Sequence, residues 1–140
     1  MIIVRKPLEI FEAGTVALKV ARGTLAKRRW RCVASDGMEF GFDLEEPLQD
    51  GSVVYASGEN FYVVCQLPEA VLEVGLGDFK KAARLGWMLG NLHFVIEITE
   101  DAIRVGDDVA VRQMFEREGF PFKVKNAVFK PMRSEEHHHH

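Results

Sequence analysis

Apolar and polar positions alternate through the first half of the chain, which is the period a half-buried strand requires. Met38 to Leu44 shows it best, with Phe40, Phe42 and Leu44 on one side and Glu39, Gly41 and Asp43 on the other. Upstream, Val16-Ala17-Leu18-Lys19-Val20 is aliphatic and β-branched and ends near Gly23, and Arg29 to Ala34 alternates charged with apolar as far as Arg31. Ser35-Asp36-Gly37 then supplies turn chemistry. After breaks at Pro47 and Asp50-Gly51, Val53 to Ala56 and Phe61 to Cys65 read as strands around Ser57-Gly58-Glu59-Asn60. Short strands at this spacing predict a small antiparallel sandwich or barrel, with Pro68-Glu69 as the boundary to a second unit.

Beyond that boundary the period changes. Val71 to Val74 is a short strand; Gly75 to Gly77 leads to Asp78, a helix N-cap, and the spacing from Phe79 to about Asn91 is helical. Phe94 to Thr99 and Ile103 to Val105 are strand-like. Asp107 or Asp108 caps a second helix that runs to about Glu118 with Gly119 as its stop, and Phe122 to Phe129 is a last strand. The order β-α-β-β-α-β predicts a ferredoxin-like domain. The fold class expected is therefore α+β: a small antiparallel β-domain over residues 1–70, a ferredoxin-like domain over 71–132, and a tail over 133–140.

The first helix of the second domain carries the most information. Phe79, Ala82, Gly86, Leu89 and His93 follow at steps of three and four, with Leu85, Met88 and Leu92 as a second apolar line. Between Leu85 and Leu92 the only polar side chain is Asn91, so this half of the helix is apolar nearly all round. A second copy covering the exposed side resolves this, with Gly86 and Gly90 letting a partner backbone approach; packing of the β-domain there is the alternative. The expected dimer contacts are Gly86, Met88, Leu89, Gly90 and Leu92. His93 is the only histidine outside the tail, and two-fold pairing would set it opposite its mate. Two imidazoles on a symmetric interface suit a borderline divalent ion, Ni²⁺, Cu²⁺ or Zn²⁺; a histidine satisfied by a backbone hydrogen bond is the plainer reading.

Composition narrows the function classes. Of 140 residues, 47% are hydrophobic and 28% charged, which are globular proportions, and no apolar stretch approaches a bilayer's thickness. No signal peptide is read, so the expectation is a cytoplasmic protein with no membrane partner. The net charge of −3, from 18 Lys+Arg against 21 Asp+Glu, argues against a dedicated nucleic-acid binder. Lys27-Arg28-Arg29-Trp30-Arg31 keeps an RNA- or protein-binding scaffold as the alternative, although the aromatic pattern of base-stacking modules is missing. Cys32 and Cys65 lie far apart and read as buried thiols. No nucleophile stands beside a base and no phosphate-cradling loop is present, so no catalysis is expected.

Gly86-Trp87-Met88-Leu89-Gly90-Asn91-Leu92-His93 resembles the H-x-G-N-R-H segment of the urease accessory protein E (UreE) family, the nickel metallochaperones of urease maturation. Asp36 to Leu44 is similar to that family's D-G-x-E-x-G-x-D-L hairpin, Leu48 to Val54 to its L-x-D-G-D-V-L, and Val71 to Val74 to the opening of its second domain. The resemblance implies a β-domain that engages partner proteins, and a ferredoxin-like domain that dimerises and holds Ni²⁺ through His93 of each protomer. It also implies delivery to a urease assembly complex with an accessory GTPase. Met88 and Leu92 stand where the family has histidine and arginine, and Asp108-Val109-Ala110 where many members read D-H-V-L, which lowers the expected affinity or stoichiometry. His137, His138, His139 and His140 would capture Ni²⁺ as a supplementary site; a homopolymer run is also what a purification tag looks like, and the tag is the favoured reading.

Overall fold

Large side chains at every second position give the N-terminal strands one dry face each, and two small sheets close on one another through those faces. A computed structural model describes residues 1–7, 14–58 and 60–132, and the chain divides into two units, Met1–Leu67 and Pro68–His140. The first unit contains β1 (Ile2–Val4), β2 (Thr15–Val20), a single-turn helix α1 (Arg22–Leu25), β3 (Arg29–Val33), β4 (Glu39–Asp43), β5 (Val53–Ser57) and β6 (Asn60–Gln66). One sheet has the order β1-β4-β3 and the other β2-β6-β5. Val4, Trp30, Phe40 and Phe42 from the first meet Leu18, Val20, Val54, Tyr62 and Val64 from the second in one core. The turn after β3 is tied down by Asp36, which accepts from the Met38 amide at 3.0 Å and from the Tyr62 hydroxyl at 2.6 Å. The Tyr62 hydroxyl bond holds the Asp36 carboxyl below the usual range, and the same bond pushes the Tyr62 phenol up.

These sheets are not the antiparallel set expected. β1 lies parallel to β4, with Ile2 beside Phe40, and β2 lies parallel to β6, with Thr15 beside Phe61. Alternation reports which side of a strand is dry, and it carries no information on a neighbour's direction. A parallel pair also needs a long connection, which both pairs have.

The second unit contains β7 (Glu69–Gly75), α2 (Phe79–Asn91), β8 (Ile96–Ile98), β9 (Ala102–Gly106), α3 (Val109–Glu118) and β10 (Lys123–Ala127), with the antiparallel sheet order β10-β7-β9-β8. Both helices pack on one side of it: Leu85 and Leu89 of α2 and Val111, Met114 and Phe115 of α3 share a core with Leu72, Val74, Ile103 and Val105. Asp78 caps α2 by accepting from the amides of Lys80 and Lys81, and Asp108 caps α3 by accepting from those of Ala110 and Val111. Asp107, the other candidate cap, instead accepts two bonds from Arg112 at 2.7 Å each. Gly119 ends α3 with φ 77°, a left-handed position that glycine takes at little cost.

The sheet's other side carries a row of charged side chains beside the buried Val71 and Ala102. Glu73, Arg104 and Glu97 stand in register across β7, β9 and β8; Arg104 donates to Glu73 at 2.8 Å and lies 3.6 Å from Glu97, while Lys125 reaches Glu73 at 2.9 Å. After β10 the chain returns to the opposite edge, where the Met132 amide donates to the Ile96 carbonyl at 2.7 Å and the Lys130 amide to Glu97 at 3.3 Å.

Candidate metal centre at the end of the first long helix

The buried seam of α2 runs between the two lines read from the sequence. Leu85 and Leu89 face the sheet, with Leu89 at 0% exposure, so Leu89 belongs to its own protomer's core and presents nothing outward. Phe79, by contrast, is 94% exposed. A three-and-four spacing defines a face only to within the drift of a 3.6-residue turn, and over this length the drift separates Phe79 from Leu89. The outward side carries Phe79, Ala83, Trp87 (69% exposed) and Gly90 among the exposed Lys80, Arg84 and Asn91, with Gly86 at its margin, and a side chain added at Gly86 or Gly90 would meet no atom within 4 Å. Met88 is half-buried at the margin of the core. Leu92 is half-exposed, as are Val95 and Ile98 beyond it. The exposed apolar side chains on the later half of α2 and the chain leading into and along β8 are therefore Trp87, Leu92, Val95 and Ile98.

His93 does not continue the helix. α2 ends at Asn91 with Leu92 as its cap, and His93 follows with φ 65°, the only described residue other than glycine with positive φ. Two bonds define the turn: the His93 amide donates to the Gly90 carbonyl at 3.0 Å, and the Phe94 amide to the Leu89 carbonyl at 3.0 Å. This is the Schellman closure, in which the residue after the cap is left-handed and the next one packs back on the helix. Phe94 does so, lying against the same core as Leu89. Glycine is the usual occupant of the left-handed position, and a histidine there holds about 1 kcal/mol of strain. The turn throws His93 out of the helix into solvent, beside Leu92 and at the rim of the apolar surface. Strain of this kind kept at one residue points to a role for that residue.

One imidazole is far from a complete coordination sphere. Among the described residues no three His, Cys, Asp or Glu side chains gather into a cluster able to hold a metal ion. His137, His138, His139 and His140 lie outside the described residues. Cys32 and Cys65 are free and part-buried, and burial pushes both thiols up, which suits neither metal binding nor nucleophilic attack. No described helix is long and apolar enough to cross a membrane. The left-handed turn escaped the sequence reading because its usual signal, a glycine after the helix, is absent.

An α+β protein with an exposed, strained histidine at the rim of an apolar helix face is a class that comparison with known proteins makes specific. The family model for the C-terminal domain of the UreE urease accessory protein matches residues 69–140. The chain is 32% identical over 109 residues to a urease accessory protein UreE of Pseudomonas fluorescens strain SBW25, an alignment covering 76% of this chain and 66%, just under two thirds, of that relative. It is 27% identical over 134 residues to the UreE of P. fluorescens strain Pf0-1, covering 94% of this chain and 81% of the relative. With the UreE of Chelativorans sp. strain BNC1 the identity is 30% over 123 residues, covering 81% and 78%. The chain belongs to the UreE urease accessory protein family.

Proposed function

We propose that this chain is a non-catalytic nickel metallochaperone of urease maturation, acting in the cytoplasm as a homodimer. Its C-terminal unit, with two helices on one side of a β10-β7-β9-β8 sheet, is the ferredoxin-like metal-binding and dimerisation domain, and its N-terminal unit engages partner proteins. The cargo ion sits between His93 and its symmetry mate, and Zn²⁺ and Cu²⁺ compete for the same two nitrogens. The observation that carries the reading is His93 itself, exposed at φ 65° on the edge of an uncovered apolar surface. Burying that surface against a second copy would place Gly86, Gly90, Met88, Leu92 and Trp87 at the interface. Two protein nitrogens leave the ion's remaining positions to water, so the ion can pass to a richer site. Its recipients are the urease assembly complex and the accessory GTPase. The tail histidines, if they are native to the protein, add a second, looser store.

Calorimetric titration with Ni²⁺ tests this on protein ending at Arg133, beside its His93→Ala variant, with mass measured by light scattering. The expected result is one ion per dimer, lost in the variant while the dimer persists. Retention of the same stoichiometry in the variant would remove His93 from the site.

A further inference from the structure

The outer side of the β1-β4-β3 sheet carries a second feature, unrelated to His93. Ile3, Gly41 and Arg31 stand side by side across its three strands, with Arg29 opposite Asp43 in the adjoining row and Val33 opposite Glu39 beyond. Gly41 leaves a dent that the side chains of Ile3 and Met1 overhang; a Cβ there would come within 2.9 Å of the Ile3 Cδ1 and 3.0 Å of the Met1 Sδ. Two clefts open on this side. One, of about 570 Å³, is lined by Met1, Ile3, Arg29, Arg31, Gly41 and Asp43, with Trp30 and Phe42 also bordering it; the other, of about 730 Å³, by Ala26, Lys27, Arg28, Arg29, Asp43, Leu44 and Pro47. Arg29 and Asp43, 3.3 Å apart, form the ridge they share.

Charge and apolarity are both one-sided here. The clefts hold four cations against one carboxylate, and that carboxylate is already engaged by Arg29. No carboxylate of the described residues lies within ion-pair distance of Lys27, Arg28 or Arg31. Glu39 sits at the margin, beside Val33. Met1 is 60% exposed and Ile3 51%, so apolar side chains overhang the dent at Gly41, across β4 from Arg31 on β3. Beneath them, Trp30 and Phe42 stack at 4.0 Å on the core side of the same strands, which makes the floor stiff.

We infer that this sheet face docks an extended acidic segment of a partner protein, one in which carboxylates alternate with aliphatic side chains. Carboxylates meet Arg31, Arg28 and Lys27, and the aliphatic groups lie on Ile3 and Met1. A nucleic acid satisfies the cations and leaves Ile3 and Met1 idle. It also finds no exposed aromatic ring to stack on, since Trp30 and Phe42, which border the first cleft, are only 8% and 4% exposed. The inference rests on the partner-binding reading of the N-terminal unit and uses no residue of the metal reading.

Fluorescence anisotropy on the full chain tests it with three labelled probes: a peptide alternating glutamate with valine, the same peptide with glutamine for glutamate, and polyuridine. The acidic peptide is expected to bind at least about tenfold tighter than the glutamine peptide, with affinity that falls as salt rises. The double variant Arg28→Glu, Arg31→Glu alters exposed side chains only and should lose about tenfold in affinity for the acidic peptide. Ile3→Ser should weaken binding of both peptides. Ni²⁺ titration of the double variant should be unchanged, so a failure here and a failure at His93 are told apart. Equal binding of the two peptides, unchanged binding by the double variant, no binding, or tighter binding of polyuridine would each overturn the inference.

Discussion

Replacing His93 by glycine should make the protein more stable while removing its ligand. The residue holds φ 65° in a turn closed by the bonds from His93 to Gly90 and from Phe94 to Leu89, and neither bond uses the imidazole. A non-glycine residue in the left-handed region costs about 1–2 kcal/mol, and histidine stands at the tolerant end of that range. Glycine removes this strain and loses about 0.5–1 kcal/mol through the greater freedom of the unfolded chain. The net gain for His93→Gly is about 0–0.5 kcal/mol, a rise in melting temperature of at most roughly 4 °C for a unit of this size. His93→Ala keeps the strain and loses an exposed side chain, so it should fall within about 0.5 kcal/mol of the parent. Differential scanning calorimetry of the three proteins in metal-free buffer gives the ranking, and Ni²⁺ titration of the same samples shows both variants without the interfacial ion. A glycine variant no more stable than the alanine variant would mean that His93 does not occupy the left-handed turn, and the argument from strain to function would fall with it.

Two further outcomes follow from the second unit. Asp108→Ala removes the acceptor for the Ala110 amide at 2.7 Å and the Val111 amide at 3.2 Å and should cost about 1 kcal/mol, read as a lower urea midpoint with unchanged slope. Lys125 and then Arg104 hold the Glu73 carboxyl below its ordinary value of 4.5, so its ion pairs contribute in full above that pH and are lost as pH falls through the depressed folded value. Acid titration of stability should therefore show a falling limb below about pH 4.5 that is shallower in Glu73→Gln.

Much of this fold was written in periodicity. The bounds of α2 and the caps at Asp78 and Asp108 follow from local chemistry: a carboxylate before a helical stripe satisfies orphan amides wherever the chain goes next. Phe40, Phe42 and Leu44 are buried as their alternation required. What could not be read was non-local. The parallel partners of β1 and β2 lie far along the chain, and β1, three residues long, is too short to show a period. The helix face holding His93 was legible only in part. Spacing placed Leu89 beside His93, whereas the seam that packs on the sheet takes Leu89 inward and the turn at residue 93 takes the imidazole out. Leu89 was expected at the dimer contact for that reason, and its complete burial assigns it to the core. The likeness to the UreE segment is what points to His93, where spacing alone leaves a backbone-bonded histidine as the plainer choice.

The parallel pairs in the first unit set an order for assembly as the chain is made. The hairpins β3–β4 and β5–β6 can close as soon as each second strand leaves the ribosome, because their partners are adjacent. β1 must wait for Phe40 to Phe42, and β2 for Phe61 to Gln66, before either has an edge to join. The first apolar strands synthesised are thus the last to be covered, and Ile2, Leu18 and Val20 are open to solvent or to a holding chaperone throughout that interval. Loop closure over such separations slows folding, so the first unit should complete its sheets only after its last strand has emerged, however early its first residues appear.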